Sequence, residues 1–380
     1  MRAQRTVVSV INVEPTRIGG LEVYARELSK QLGARGWKSV LCFESEPRGR
    51  VREYLDLPNT KLEVLPHGHN AIGRGARELA RVLRRHRPRI LHLQFTPFLS
   101  LYAWVAFLHS VDKVFFTDQG SRPQSHRIES EAWLKKAAAR VINYPLTKAI
   151  GASDYVCRCL AGSGYVPASR VCRIYNATDV TVSRDAGTGG QFRLRYGIPS
   201  DRMLVLQVSW IIPEKGIADL LEAARLAIEE DPGIHFAFVG EGAYRSEFMR
   251  LAADMNIGGH VTWTGLVDDP LGSGVFAAAD IVCQMSRWEE AFGFVIAEAM
   301  VHGKPLVATR VGGIPELVLE GETGYVVDRG DTRAMADRIL RLARDPGLRK
   351  QLGAAGRRRA EAEFDVRKNV AALLDLYQID

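Results

Sequence analysis

Short runs of consecutive apolar residues recur along the chain, separated by longer segments with a helical period. VVSVINV (7–13), SVLCF (39–43), KLEVL (61–65), RILHLQF (89–95), KVFFT (113–117), AIGAS (149–153) and VCRIY (171–175) are the runs of the first half. The second half repeats the scheme with MLVLQVS (203–209), IHFAFVG (234–240), VTWTG (261–265), DIVCQM (280–285), PLVAT (305–309) and YVV (325–327). Helices are predicted near 20–34, 216–229, 243–255 and 294–302, with a last one over 364–378. Apolar runs that do not alternate read as strands covered on both faces, and the helices between them supply the cover. The pattern therefore predicts α/β architecture with parallel, doubly wound sheets.

The interval ATDVTVSRDAGTGGQ (177–191) is small, polar and glycine-bearing, which reads as a linker between two such units. This divides the chain into a first domain over 1–176, a linker over 177–191, a second domain over 192–362 and a terminal helix over 363–380. A length of 380 residues suits two domains, and 46% hydrophobic with 25% charged residues is a soluble, globular composition. The first apolar run reads as a strand rather than a signal peptide. The stretch FLSLYAWVAFLHSV (98–111) reads as a core helix, short of the roughly 20 residues a bilayer span needs. Five cysteines without framework spacing read as buried thiols of a reducing cytosol.

The net charge of +7 conceals an asymmetry: residues 1–176 carry 28 Lys and Arg against 14 Asp and Glu, and the remainder 23 against 30. The densest basic stretch, RGARELARVLRRHRPR (74–89), lacks interleaved aromatics, and no nucleic-acid motif accompanies it. It reads either as a solvated helix face or as a surface for anionic lipid or a phosphorylated acceptor.

Four loops at predicted strand ends carry candidate chemistry. In TRIGGLE (16–22), Gly19 and Gly20 open a helix, where backbone N–H groups can meet an anion. The dinucleotide fingerprint GxGxxG is missing there. In VSWIIPEKG (208–216), Lys215 stands at a helix start and can meet a diphosphate as a point charge. In EEAFGFVIAEAM (289–300), Glu290 precedes a helix and Glu298 lies about one turn inside it. Carboxylates accept paired hydrogen bonds from vicinal hydroxyls, so two of them can hold two sugar rings. Backbone N–H groups at Gly293 and Phe294, after Phe292, can meet phosphate. VGGIPE (311–316) supplies a further glycine turn with Pro315 in the first turn of a helix.

Taken jointly, PEKG, FVGEG, the two glutamates eight apart and VATRVGGIPELVLEGETGYVV resemble glycosyltransferase family 4, and the resemblance runs nearly end to end. It implies a GT-B fold, two Rossmann-like domains facing across a cleft, and retaining transfer of a hexose-type sugar from a UDP- or GDP-linked donor. The acceptor would be a hydroxyl of a glycan, a lipid-linked or a small-molecule compound. No cofactor, metal or nucleic acid enters. The reduced cysteines suit a cytoplasmic enzyme, and the basic first half would hold it at the anionic inner face of a membrane. Carried onto this chain, Glu290 would bind the transferred sugar, Lys215 would neutralise the diphosphate and Glu298 would bind the ribose. The N–H groups near Gly20 and Phe294 would assist Lys215. Gly240, Glu241, Gly242 and the segment 264–267 with Gly265 would line the nucleotide. The last helix would cross back onto the first domain.

The sequence departs from the family at two places that matter. Trp210 stands where a second cation on the diphosphate is usual, with Arg287 and Arg17 as candidate substitutes. Asp118 or Gln119 stands where a histidine usually orients the sugar, and Asp118 can accept a sugar hydroxyl in its place. A smaller change is Ala177 in place of glycine. These departures keep open a nucleotide-sugar-binding protein with little catalysis. Other GT-B chemistry, such as an epimerase or phosphorylase, is a further alternative.

Overall fold

The computed structural model describes residues 4–66, 73–128, 132–182 and 186–379. The chain forms two compact units. One takes in Met1–Gly120, Ser125–Asn176 and Val366–Asp380, and the other Ser121–Gln124 and Ala177–Asp365.

The first unit holds strands β1 (Gln4–Ile11), β2 (Lys38–Phe43), β3 (Thr60–Val64) and β4 (Pro88–Gln94), followed by β5 (Lys113–Asp118), β6 (Lys148–Gly151) and β7 (Val171–Arg173). They form one sheet in the order β3-β2-β1-β4-β5-β6-β7. Every pairing is parallel, with Val8 opposite Val40 on one side and Leu91 on the other. Helices α1 (Gly20–Ala34), α2 (Gly49–Leu55), α3 (Arg74–His86), α4 (Tyr102–Leu108), α5 (Trp133–Ile142) and α6 (Asp154–Ser163) connect them. β1 ends in six consecutive buried residues, as a strand covered on both faces requires. Strand order reverses between β1 and β4, which places a topological switch point at their carboxyl ends.

The apolar stretch at 98–111 is not the core helix its composition predicts. Only Tyr102–Leu108 is helical, and Tyr102, Ala103 and Ala106 are its buried residues. Phe107 and Leu108 face solvent. A run this short reaches the sheet with one face, so density of apolar residues overstates how much of it is core.

The second unit holds β8 (Met203–Val208), β9 (Ile234–Val239), β10 (Val261–Gly265), β11 (Ile281–Gln284), β12 (Leu306–Thr309) and β13 (Gly324–Val327). This sheet is also parallel, in the order β10-β9-β8-β11-β12-β13, with its switch point between β8 and β11. Its helices are α7 (Ala186–Arg195), α8 (Ile217–Glu230), α9 (Arg245–Asp254), α10 (Val275–Ala278), α11 (Phe294–Val301), α12 (Ile314–Leu317), α13 (Thr332–Arg344) and α14 (Pro346–Glu363).

Helix α7 lies inside the interval 177–191 that reads as a linker, of which residues 183–185 fall outside the described residues. Gly189 within it serves close packing rather than flexibility. A Cβ on Gly189 would sit 2.8 Å from the backbone of Ala277 and Ala278, and one on Gly274 would sit 2.3 Å from the Thr188 carbonyl oxygen. Glycine lets α7 and α10 approach to backbone contact, a distance no larger residue allows.

The last helix, α15 (Val366–Tyr377), belongs to the first unit and packs on α1. Asn369 Nδ2 donates to the Tyr175 carbonyl at 2.6 Å, and Lys113 Nζ to the Tyr377 carbonyl at 2.9 Å. Tyr377 Oη is hydrogen-bonded to Nδ1 of buried His92 at 2.6 Å, and His92 Nε2 to Thr117 Oγ1 at 2.6 Å. Burial pushes His92 down to about 3, so the imidazole is neutral at ordinary pH.

Candidate functional site

β8 and β11 are neighbours at the centre of the second sheet, so the loops that leave their carboxyl ends lie side by side. The first loop ends in a 3-10 turn, Pro213–Lys215, that runs into α8. Gly216 closes the turn at φ +66, and a Cβ there would lie 1.7 Å from the Met285 carbonyl oxygen of the second loop. Only glycine fits. Gln207 Nε2 donates to the Lys215 carbonyl at 2.9 Å, and Arg287 N to the Glu214 carbonyl at 2.8 Å. These contacts fix where the Lys215 side chain starts.

Lys215 Nζ lies 2.5 Å from Glu290 Oε1. Glu290 is buried and also accepts from Ser121 Oγ at 2.9 Å and from Ser286 Oγ. Burial pushes its carboxyl up, but the Lys215 ammonium and the two hydroxyls outweigh burial and hold it below the ordinary glutamate range. The Glu290 carbonyl accepts from Gly313 N at 2.8 Å. A Cβ on Gly312, at φ +53, would lie 2.1 Å from that carbonyl oxygen. The second glycine turn is thus pressed directly onto the residue it supports.

Glu289 points the other way and ties three segments together. Its Oε2 accepts from Gly312 N at 2.6 Å and its Oε1 from Arg329 Nη2 at 2.5 Å, while Arg329 Nη1 donates to the Arg287 carbonyl at 2.7 Å. Its backbone pairs with Arg122 through Arg122 N to Glu289 O at 2.9 Å and Glu289 N to Arg122 O at 2.8 Å. Glu298 sits in the second turn of α11 and is buried. Gly293, at φ +104, is the residue before that helix. Phe292 is buried against Phe294 and Phe364, so only its backbone can face a ligand.

A third set of loops closes the neighbouring strand ends. Gly240 N donates to the Gly265 carbonyl at 3.0 Å, and Ile211 N to the Glu241 carbonyl at 2.9 Å. A Cβ on Gly240 or Gly242 would run into the carbonyl oxygens of Ser209 and Ile211 at 2.0 and 2.3 Å. The Glu241 carboxylate pairs with Arg245 at 2.9 Å. A hollow of about 410 Å³ opens beside the Lys215 turn, lined by Pro213, Glu214, Phe248, Arg287 and Trp288 among others.

Two family models match the chain: Glycosyl transferases group 1 over residues 191–359 and Glycosyltransferase Family 4 over residues 18–182. The chain belongs to glycosyltransferase family 4. It is 25% identical over 382 residues to the N-acetyl-alpha-D-glucosaminyl L-malate synthase of Bacillus anthracis, covering 95% of this chain and 94% of that protein. It is 35% identical over 189 residues to the alpha-D-kanosaminyltransferase of Streptomyces kanamyceticus, a match that spans 49% of this chain and 48% of the relative. Among solved structures, HepE of Anabaena in complex with UDP and glucose superposes with a TM-score of 0.79 at 18% identity, covering 98% of this chain and 99% of that one. This likeness shows the GT-B fold.

In the first unit of this glycosyltransferase, Gly19 and Gly20 stand between β1 and α1. Gly19 N donates to Glu22 Oε2 at 3.0 Å, so that N–H is already used and Gly20 opens the helix. Burial outweighs this hydrogen bond and raises the Glu22 carboxyl. Asp118 ends β5, and its Oδ1 accepts from Gly120 N at 3.2 Å. Gln119 donates to Gln94 Oε1 at 2.8 Å, which makes it a structural residue of that turn.

Of the two cations suggested in place of Trp210, Arg287 is held by another partner. Its guanidinium grips Asp219 with two bonds of 2.7 and 2.6 Å. Arg17 lies beside Gly19. Trp210 itself is more than half exposed. Ser121, Ser286, Glu289 and Arg329 are the residues of the site that sequence reasoning missed. Ser286 had one readable signal, its place two residues beyond the end of β11. Arg329 and Ser121 reach the site from 40 and 169 residues away, and nothing local marks them.

Proposed function

We propose that this glycosyltransferase moves a hexose-type sugar from a nucleoside-diphosphate donor to a hydroxyl of a glycan, lipid-linked or small-molecule acceptor. Transfer retains configuration and uses no metal ion. The observation that carries the reading is the Lys215–Glu290 pair at 2.5 Å, a cation and a hydroxyl-binding acceptor held at one switch point. As the sugar leaves, negative charge grows on the diphosphate, and an ammonium fixed there lowers the barrier. Lys215 is that ammonium, assisted by N–H groups at Gly293 and Phe294, and the N–H groups at Gly20 serve the same diphosphate. Glu290 accepts hydroxyls of the transferred sugar, and Glu298 accepts those of the ribose. Asp118 receives a further sugar hydroxyl, while Gly240, Glu241 and Gly265 border the nucleotide. The bound UDP and glucose of the Anabaena protein favour a donor of this class. Among the described residues no helix is long and apolar enough to cross a membrane. The basic first unit favours a cytoplasmic enzyme resting on the inner membrane face.

The test is a panel of UDP- and GDP-linked sugars with glycan, lipid and small-molecule acceptors, read by mass spectrometry and by the anomeric proton signal of the product. Glu298→Ala weakens nucleotide binding, whereas Glu290→Ala lowers turnover with little loss of nucleotide affinity. Inverted product, loss of activity in chelator, or wild-type turnover in both variants overturns the reading. A second reading, donor binding with little transfer, is favoured by Trp210 and by the engagement of Arg287 with Asp219. Tight nucleotide binding without product on any acceptor selects it.

A further inference from the structure

The Glu290 carboxylate already has three donors. Its two oxygens offer about four lone-pair directions in all. Lys215 Nζ and Ser286 Oγ both bond Oε1, and Ser121 Oγ donates to Oε2 at 2.9 Å. About one direction, on Oε2, is then left. A vicinal pair of sugar hydroxyls needs two, so one of the present donors must leave when such a sugar is seated.

The three are not equally held. Ser286 is fully buried; Gln284 Nε2 donates to its hydroxyl at 3.1 Å and Thr309 Oγ1 to its carbonyl at 2.7 Å. Lys215 stands on a turn that Gln207 fixes, and its ammonium offsets the burial that would otherwise raise the Glu290 carboxyl. Ser121 is exposed and reaches Glu290 from the short segment Ser121–Gln124. Two backbone bonds across one antiparallel bridge, between Arg122 and Glu289, hold that segment. The bridge does not lengthen. Toward Gln124 the facing residue is Arg287, whose N–H donates to the Glu214 carbonyl and whose carbonyl accepts from Arg329. At the other end the Gly120 N–H is spent on the Asp118 carboxylate. Gln124 borders the hollow of about 410 Å³ beside the Lys215 turn, so the segment has open space next to it.

We infer that the Ser121 hydroxyl stands in for one hydroxyl of the transferred sugar, and that the donor displaces it from Glu290 on binding. An aliphatic O–H on a carboxylate is the same contact that a sugar hydroxyl makes. Ser121 is thereby a specificity-determining residue. It competes with a sugar that brings two adjacent hydroxyls and leaves untouched a sugar that brings one. It is not catalytic, because it has let go of Glu290 once the sugar is in place. The inference rests on Glu290 as the acceptor of sugar hydroxyls and names the group that Glu290 releases.

The experiment is isothermal titration calorimetry of the full chain, as wild type, Ser121→Ala and Ser121→Thr, with UDP, UDP-glucose, GDP and GDP-mannose. Ser121→Ala is expected to bind the nucleotide-sugar that the wild type takes about fivefold tighter, the worth of one competing hydrogen bond. Its affinity for the matching nucleotide without sugar stays at the wild-type value, a split that a merely structural loss does not produce. Ser121→Thr keeps a hydroxyl and binds like wild type. The 3-deoxy analogue of the donor lacks one hydroxyl of any vicinal pair on carbons 2 to 4, so wild type and Ser121→Ala bind it alike. Unchanged or weaker nucleotide-sugar binding by Ser121→Ala, an equal gain for the bare nucleotide, or a gain that persists with the 3-deoxy analogue overturns the inference. Glu290→Ala separates this from failure of its basis. Wild-type turnover in that variant, or a wild type that binds none of the four ligands, overturns both. Lowered turnover there, with Ser121→Ala binding as wild type does, overturns the displacement alone.

Discussion

Replacing Lys215 with methionine removes the ammonium 2.5 Å from Glu290 Oε1 while keeping most of the side-chain volume. In the wild type the Glu290 carboxyl is held low, so its stabilising contribution is complete above the ordinary glutamate value of about 4.3 and is lost as pH falls below it. Between pH 5 and pH 7 this residue therefore leaves wild-type stability flat. In the variant the main force opposing burial is gone and the carboxyl is raised. The folded state then binds a proton that the unfolded state has released. Stability falls by about 1.36 kcal/mol per pH unit from about 4.3 up to the new folded value. The variant therefore loses stability with this slope over the part of pH 5 to pH 7 that lies below the new folded value. Protonation caps the cost of burying the unpaired charge at about 3.7 kcal/mol at pH 7, and the lost wild-type attraction adds to it. Urea unfolding of wild type, Lys215→Met and Lys215→Met with Glu290→Gln at the two pH values measures this. The double variant should recover most of the loss at pH 7, because an amide has no charge to bury. A wild-type-to-variant gap equal at both pH values, or no recovery in the double variant, refutes the reasoning.

Three further outcomes are expected. Gly312→Ala forces a Cβ to within 2.1 Å of the Glu290 carbonyl oxygen at φ +53; it costs at least about 1–2 kcal/mol, lowers the thermal midpoint by several degrees and weakens donor affinity. Arg329→Met strands the Glu289 carboxylate and costs roughly 1–3 kcal/mol; adding Glu289→Gln recovers part of it, as a double-mutant cycle in urea will show. Tyr377→Phe removes the hydrogen bond to His92 and costs about 1 kcal/mol, and since His92 stays neutral that loss should be the same at pH 6 and pH 8.

The α/β class and the parallel order were legible because strands covered on both faces leave uninterrupted apolar runs, as in IHFAFV at β9. Lys215 and Glu290 were legible as polar residues just beyond such runs, and adjacency of β8 and β11 is what brings them together. The direction of each loop side chain was not legible. Glu289 and Glu290 are consecutive and point to different partners, and no periodicity governs a loop. Composition also misled twice. Gly189 suggested slack where it permits contact between α7 and α10, and the apolar stretch near α4 suggested core where Phe107 and Leu108 face solvent. A residue scale reports the wish to leave water, not the neighbour that grants it.

The first unit is finished by Val366–Asp380, which has a consequence for biosynthesis. As the polypeptide leaves the ribosome, the second unit has all its parts once Asp365 has emerged, while the first still waits for α15. The earlier-made sheet is thus the later one to be completed, and His92 gains its Tyr377 partner only then. A message truncated before Val366 yields a first unit without α15 and without the bonds it makes to Lys113, Tyr175 and His92.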